Sequence, residues 1–238
     1  MKDRVKDRVI AIDGPSGSGK STITKLLANE LNFTYLDTGA MFRALAYKLD
    51  QLDIDFSGQA LSNEDLMKAR DFLESLDFQY APSKDVLIKI NGEDLSQKIR
   101  EHHVSRLASQ ISKFPVVREY LAKIQKDAAR ERPSILEGRD IGTVIFPNAA
   151  LKFFLTADND VRARRRLKQL RAKGAGGDLS LEQIKKDIEK RDQEDSRRET
   201  APLKKAEDAI VINTSALTIE ETINQMIQAY KRRQELFK

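Results

Sequence analysis

Cysteine is absent from the 238 residues, which excludes disulfides and thiolate metal sites. No apolar run approaches the roughly 20 residues that a membrane-spanning helix needs. The first residues, Met1 to Arg8, are mostly charged and lack the apolar stretch of a signal peptide. A cytoplasmic protein without a membrane partner is the expectation. Histidine is scarce. The two present, His102 and His103, are adjacent and have no other metal-ligand types at suitable spacing, so they read as surface residues. There is no internal repeat and no low-complexity linker.

What remains is 40% hydrophobic and 33% charged. That is enough for one sizeable core with a small insert or two, rather than two full domains. The net charge is +5, and its location says more than its size. Between Asp158 and Lys205 stand 15 Lys and Arg against 10 Asp and Glu, an excess equal to that of the whole chain. Such a segment suits a polyphosphate ligand or a nucleic acid, or is a solvated helical face.

The stretch that organises the chain is residues 9 to 22. Val9 to Ile12 reads as a buried strand. Gly14-Pro15-Ser16-Gly17-Ser18-Gly19-Lys20-Ser21 fits G-x-x-x-x-G-K-[ST]. Ile23, Leu26, Leu27 and Leu31 then recur at helical spacing. Glycines let the backbone amides of such a loop converge on phosphate, and the helix N-terminus adds unpaired N–H groups and partial positive charge. Lys20 can neutralise terminal phosphates, and the Ser21 hydroxyl can reach a magnesium ion.

Further strands are expected at 32–36, 134–136, 150–155 and 209–212, with helices between them. This alternation predicts a parallel sheet wrapped by helices. Residues 51–110 break the alternation and read as an inserted α+β subdomain, with a helix over 63–76 and short strands at 78–81 and 86–90. A helix over 161–173 places Arg162, Arg165 and Arg166 on one face, and Gly174 to Gly177 break it. Capping boxes are expected at Ser180/Gln183 and Thr218/Glu221. In the helix after Ser180, Ile184 and Ile188 set a face that Arg191, Asp195 and Arg198 continue, as in a core helix whose end enters a polar cleft. Pro202 is expected to end it. Ile219, Ile223, Met226, Ile227 and Tyr230 are expected to line the final helix. Glu137, at the end of a core strand, is a candidate for the water shell of magnesium.

Four motifs together resemble bacterial cytidylate kinases, of the P-loop nucleoside monophosphate kinases. They are Ile12 to Lys20, Asp37-Thr38-Gly39-Ala40-Met41-Phe42-Arg43, Glu137-Gly138-Arg139-Asp140-Ile141-Gly142-Thr143-Val144, and Arg191-Asp192 with Asp195-Ser196-Arg197-Arg198 and Ala201-Pro202-Leu203. The resemblance implies a five-stranded parallel α/β core (1–56, 111–157 and 179–238), a nucleotide-monophosphate insert at about 57–110 and a lid at about 158–178. It implies transfer of the γ-phosphoryl group of ATP, with Mg2+, to CMP or dCMP. Gly14, Pro15, Ser16, Gly17, Ser18, Gly19, Lys20, Ser21 and Thr22 would bind ATP, with Arg162, Arg165 and Arg166 over its phosphates. Ser109, Arg118 and Asp140 would meet the cytosine, and Arg191 and Asp195 the sugar. Arg43, Arg139 and Arg198 would hold the acceptor phosphate, and Thr38 and Phe42 would complete that site. Lys20, Arg139, Arg162, Arg166 and Arg198 would carry the catalysis. Ser21 and, through water, Glu137 would serve the metal. Phe42 stands where Tyr is usual in the family, and Glu137 where Asp is common.

Two other classes are weighed against this one. One is a P-loop ATPase or GTPase that hydrolyses its nucleotide; a GTPase would typically carry N-K-x-D, which is missing. A basic RNA-binding module would need aromatics beside the basic run, and Arg162 to Lys173 has none. A monomer without a nucleic-acid partner is expected, because no spare apolar stripe is found.

Overall fold

The computed structural model describes residues 7–81, 83, 85, 87–172 and 179–238. The elements in chain order are β1 (Asp7–Asp13), α1 (Lys20–Leu31), β2 (Thr34–Asp37), α2 (Thr38–Leu49), α3 (Asn63–Glu74), β3 (Phe78–Tyr80), β4 (Ile88–Ile90) and β5 (Glu93–Asp94). Then follow α4 (His102–Ile111), α5 (Pro115–Ala128), β6 (Ser134–Gly138), a π-helical turn (Ile141–Ile145), β7 (Ala149–Thr156), α6 (Asn159–Ala172), α7 (Leu181–Arg197), β8 (Ile210–Asn213) and α8 (Ile219–Lys231). The chain divides into two compact units, residues 37–131 and the remainder.

The larger unit is built on a five-stranded sheet in the order β2-β6-β1-β7-β8. β1 runs parallel to both β6 and β7, and β7 parallel to β8. β1 sits in the middle, so from Val9 to Asp13 its side chains are buried on both faces. Ile10 and Ile12 are fully buried, packed with Ile23 and Leu27 of α1, Phe153 and Leu155 of β7 and Met226 of α8. A strand buried on both faces reads as a continuous apolar run, and Val9 to Ile12 is one. Cutting Phe153 back to Ala would cost about 3–5 kcal/mol at such a site. Helices α6 and α7 have their own small core of Ala163, Leu170, Ile184 and Ile188.

The smaller unit packs α2 to α5 with a three-stranded antiparallel sheet, β3-β4-β5. Its extent, 37–131, is wider than the insert expected at 57–110. Pro115 stands in the first turn of α5, where its missing N–H has no cost.

Several boundaries move for local reasons. β2 begins at Thr34 because Asn32 adopts φ 53° and caps α1. α7 stops at Arg197, five residues before Pro202. Arg198 turns extended there, and the Leu203 N–H closes back onto the Asp195 carbonyl at 2.7 Å. Ser180 caps α7 by accepting from the Gln183 N–H, whereas Thr218 and Glu221 form the full reciprocal box. Ile219 is exposed, so the apolar face of α8 starts one turn later, at Ile223. The helix α4 and the π-helical turn had no counterpart in the sequence reading. The expected break at Gly174 to Gly177 and the residue Val86 lie outside the described residues, as does the side chain of His102. His103 is exposed and faces Glu101 at 3.6 Å. Among the described residues no helix is long and apolar enough to cross a membrane.

Candidate active site

In the larger unit the candidate residues gather beyond the carboxyl ends of β1 and β6, where open parallel sheets place ligands. The loop leaving β1 passes close to β7. A Cβ on Gly14 would stand 2.0 Å from the Leu155 carbonyl oxygen, so no other residue fits there. Gly19 has φ 89° and turns the chain into α1. The loop is braced from within by Ser18 Oγ, which donates to the Pro15 carbonyl at 3.0 Å. Lys20 is buried and curls back, donating to Pro15 O at 2.6 Å and to Ser18 Oγ at 3.4 Å. Burial, and then repulsion from Arg139, hold its pKa well below the usual lysine value, while Glu137 and Asp13 pull it back up. Thr22, on the first turn of α1, is exposed.

Ser21 Oγ donates to Glu137 Oε2 at 2.8 Å, and the Tyr35 hydroxyl donates to Glu137 Oε1. The set is all oxygen, one carboxylate and one aliphatic hydroxyl beside a phosphate loop. Such hard donors suit magnesium, which prefers oxygen and keeps several waters. Among the described residues no group of three or more His, Asp or Glu could hold a metal by itself. A cation here would therefore lean on nucleotide phosphates.

Beyond β6, Arg139 and Asp140 meet the end of α7. Arg139 Nε donates to Asp195 Oδ2 at 2.8 Å. Arg198 lies 3.7 Å from Asp195 Oδ1 and 3.7 Å from Asp140 Oδ1, and its Nε donates to the Ala201 carbonyl at 2.6 Å. Burial pushes the Asp195 carboxyl up, but Arg139, Arg191 and Arg198 outweigh it and hold the pKa below the ordinary value. Three guanidiniums against two carboxylates leave this cluster cationic, which favours an anionic ligand. The face that changes from apolar to charged along α7 thus runs from the buried Ile184 and Ile188 into a polar cluster.

The arginines of α6 diverge. Arg162 is buried and donates to the Ser16 carbonyl at 3.1 Å and to the Asp192 carboxylate. Arg165 donates to Thr214 Oγ1 at 2.9 Å and to Thr214 O at 2.7 Å, and Thr214 Oγ1 in turn donates to Ser18 O at 3.1 Å. Arg162 and Arg165 are thereby tied to the loop. Arg166 instead meets Gln169 of its own helix at 3.0 Å, so the three do not point to one place.

The smaller unit holds its own set. The Arg118 guanidinium lies 5.5 Å from the centre of the Phe42 ring and donates to the Ser112 carbonyl at 3.1 Å. Ser112 Oγ donates to the Ser109 carbonyl at 2.8 Å, which brings Ser109, Arg118 and Phe42 into one chain of contacts. Asp37 caps α2 by accepting from the Ala40 N–H, and Arg43 lies 3.4 Å from its other oxygen. Thr38 is buried beside them.

Four residues gain a role from the structure that the sequence did not assign: Asp13 and Asp192, which stand inside the quoted motifs, and Tyr35 and Thr214. Asp13 is buried and accepts from the N–H groups of Ile141 and Gly142 at 2.9 and 2.8 Å. Its partners are 128 and 129 positions away, so no local pattern marks it. Tyr35 had one usable signal, a polar tip on a strand adjacent to the one bearing Glu137.

The cytidylate kinase family model matches residues 10–232. The chain is 45% identical over 222 residues to the cytidylate kinase of Caldicellulosiruptor bescii, covering 93% of this chain and 94% of that one. It is 42% identical over 226 residues to the cytidylate kinase of Streptococcus pneumoniae, covering 94% and 97%. A solved structure of an uncharacterized protein from Eubacterium ventriosum shares the fold, with a TM-score of 0.50 at 14% identity over 94% of this chain and 99% of that one.

Proposed function

This chain belongs to the cytidylate kinase family, and from that premise we propose that it transfers the γ-phosphoryl group of ATP directly to CMP or dCMP, giving ADP and CDP or dCDP. The observation that carries the reading is the pairing, within one unit, of a phosphate loop holding Lys20 with the cationic cluster of Arg139, Arg191 and Arg198. Phosphoryl transfer asks a protein for alignment and charge neutralisation rather than a covalent nucleophile, and these residues supply both.

The roles follow from the chemistry of each group. The loop from Gly14 to Thr22 cradles the donor phosphates with its amides, and Lys20 neutralises charge that grows on them. Arg162 and Arg165, held beside the loop, would lie over those phosphates as part of a lid, and Arg166 would have to leave Gln169 to join them. Arg43, Arg139 and Arg198 hold the acceptor phosphate, since a planar guanidinium pairs two oxygens and stays charged. Ser109, Arg118 and Asp140 read the cytosine, Arg191 and Asp195 the sugar, and Thr38 and Phe42 complete the acceptor site. Ser21 and, through water, Glu137 would hold a magnesium ion, which neutralises phosphate charge when bound. A closing lid excludes water, so the phosphoryl group reaches CMP instead.

The enzyme is read as a cytoplasmic monomer that acts on free nucleotides, with neither nucleic acid nor membrane as partner. An acceptor screen with ATP and CMP, dCMP, UMP, AMP or GMP tests the assignment. CMP and dCMP should be phosphorylated with the highest kcat/KM, and a preference for a purine would refute it.

A further inference from the structure

We propose that Tyr35 is a positioning residue that holds the Glu137 carboxylate in place for a divalent cation bound with the nucleotide. The inference rests on the reading of Glu137 as a holder of metal-bound water.

Glu137 is the fourth residue of β6 and is 4% exposed. Each of its carboxylate oxygens accepts a hydroxyl, Oε2 from Ser21 and Oε1 from Tyr35. The two donors differ in how firmly they are held. Ser21 lies exposed on the first turn of α1, beside the loop that must accept a nucleotide. Tyr35 stands on β2, the strand next to β6, and its ring packs against the buried core around Ile10, Ile135 and Leu27. A phenol on a rigid ring at a fixed strand position offers its proton along one direction. A glutamate, by contrast, has one more torsion than an aspartate and a wider reach. The longer side chain therefore gains more from a tether than a shorter one would.

The charge of Glu137 is felt at the buried Lys20 ammonium. With Tyr35 gone, the carboxylate is free to turn toward that ammonium and away from a metal-bound water. Outer residues that orient a metal's holders typically change metal affinity 10- to 100-fold when removed.

The experiment measures Mn2+ binding to the 238-residue chain with ADP, by electron paramagnetic resonance, for wild type, Tyr35→Phe, Glu137→Gln and the double variant. Phe keeps the ring in the core, and thermal unfolding checks that the fold is retained. Tyr35→Phe should weaken Mn2+ binding about tenfold, with KM for CMP within twofold of wild type. Glu137→Gln should weaken it at least as much, and Tyr35→Phe should add nothing in the Glu137→Gln background. If Glu137→Gln weakens binding and Tyr35→Phe does not, the tether is refuted while the role of Glu137 stands. If Glu137→Gln itself binds Mn2+ like wild type, the metal reading of Glu137 falls and takes the tether with it. Additive losses in the double variant would show that Tyr35 acts elsewhere.

Discussion

Arg139 and Asp195 are joined across 56 positions of sequence by a 2.8 Å hydrogen bond from Nε to Oδ2. Asp195 is thereby the counter-ion for a cluster whose other cations are Arg191 and Arg198. Asp195→Ala would leave three partly buried guanidiniums without it; an unpaired buried charge costs about 3–5 kcal/mol in stability, and their partial exposure to water brings the loss below that range. Chemical denaturation checks the value. The pH dependence has a definite sign. A depressed carboxyl contributes stability above its unfolded value of 3.8, and the contribution is lost as pH falls through the lower folded value. Asp195→Asn should flatten the acid limb of the stability profile below about pH 4. An unchanged limb would remove Asp195 from the account of acid sensitivity.

Asp13 should show the opposite sign. Burial raises its carboxyl to about 6, against the partly compensating N–H groups of Gly142 and Ile141. The folded chain then binds a proton more tightly than the unfolded chain. Stability from this group is full below the unfolded value of 3.8 and is lost as pH rises through about 6. The swing is about 3 kcal/mol. Stability measured from pH 4 to 7 should decline less in Asp13→Asn than in wild type, and parallel profiles would contradict the assignment.

Lys20→Ala should leave a folded protein that barely transfers phosphate. Removing a buried cation with a depressed pKa does little harm to the fold, but its charge is lost from the transition state. Such losses cost on the order of 3 kcal/mol, about a hundredfold in turnover. Turnover within threefold of wild type at unchanged melting temperature would rule this out.

Base choice tests the place given to Asp140. Cytosine offers an amino donor where uracil offers an oxygen, so a carboxylate at that edge favours CMP. A good paired contact to a base edge is worth roughly 1–3 kcal/mol, about 10- to 100-fold in kcat/KM for CMP over UMP. Asp140→Asn can donate to the uracil oxygen, so it should narrow the ratio mainly by losing CMP activity. An unchanged ratio would mean that Asp140 does not read the base.

The parts of this architecture legible in the sequence are those held by near neighbours. The loop of Gly14 to Lys20 announces itself because its glycines, strand and helix are contiguous, and Thr218 caps α8 with a residue three positions on. The π-helical turn at Ile141–Ile145 was not legible. Ile-Gly-Thr-Val-Ile has no helical periodicity, and the carboxylate that accepts its first N–H groups comes from Asp13 in another strand. The early end of α7 was hidden for a similar reason, since a tertiary turn at Arg198 stops the helix before Pro202 can. In the site, residue types pointed to the arginine cluster. Which arginine meets which carboxylate, and that Arg166 turns to Gln169, depended on packing that no spacing encodes.

The central claim is that the phosphoryl group of ATP goes to CMP and not to water. The direct measurement is ADP and CDP formation by the purified chain with ATP and magnesium, in the presence and absence of CMP. The account predicts ADP release that requires CMP and matches CDP mole for mole. ADP formed at the same rate without CMP, and no CDP with it, would contradict the account.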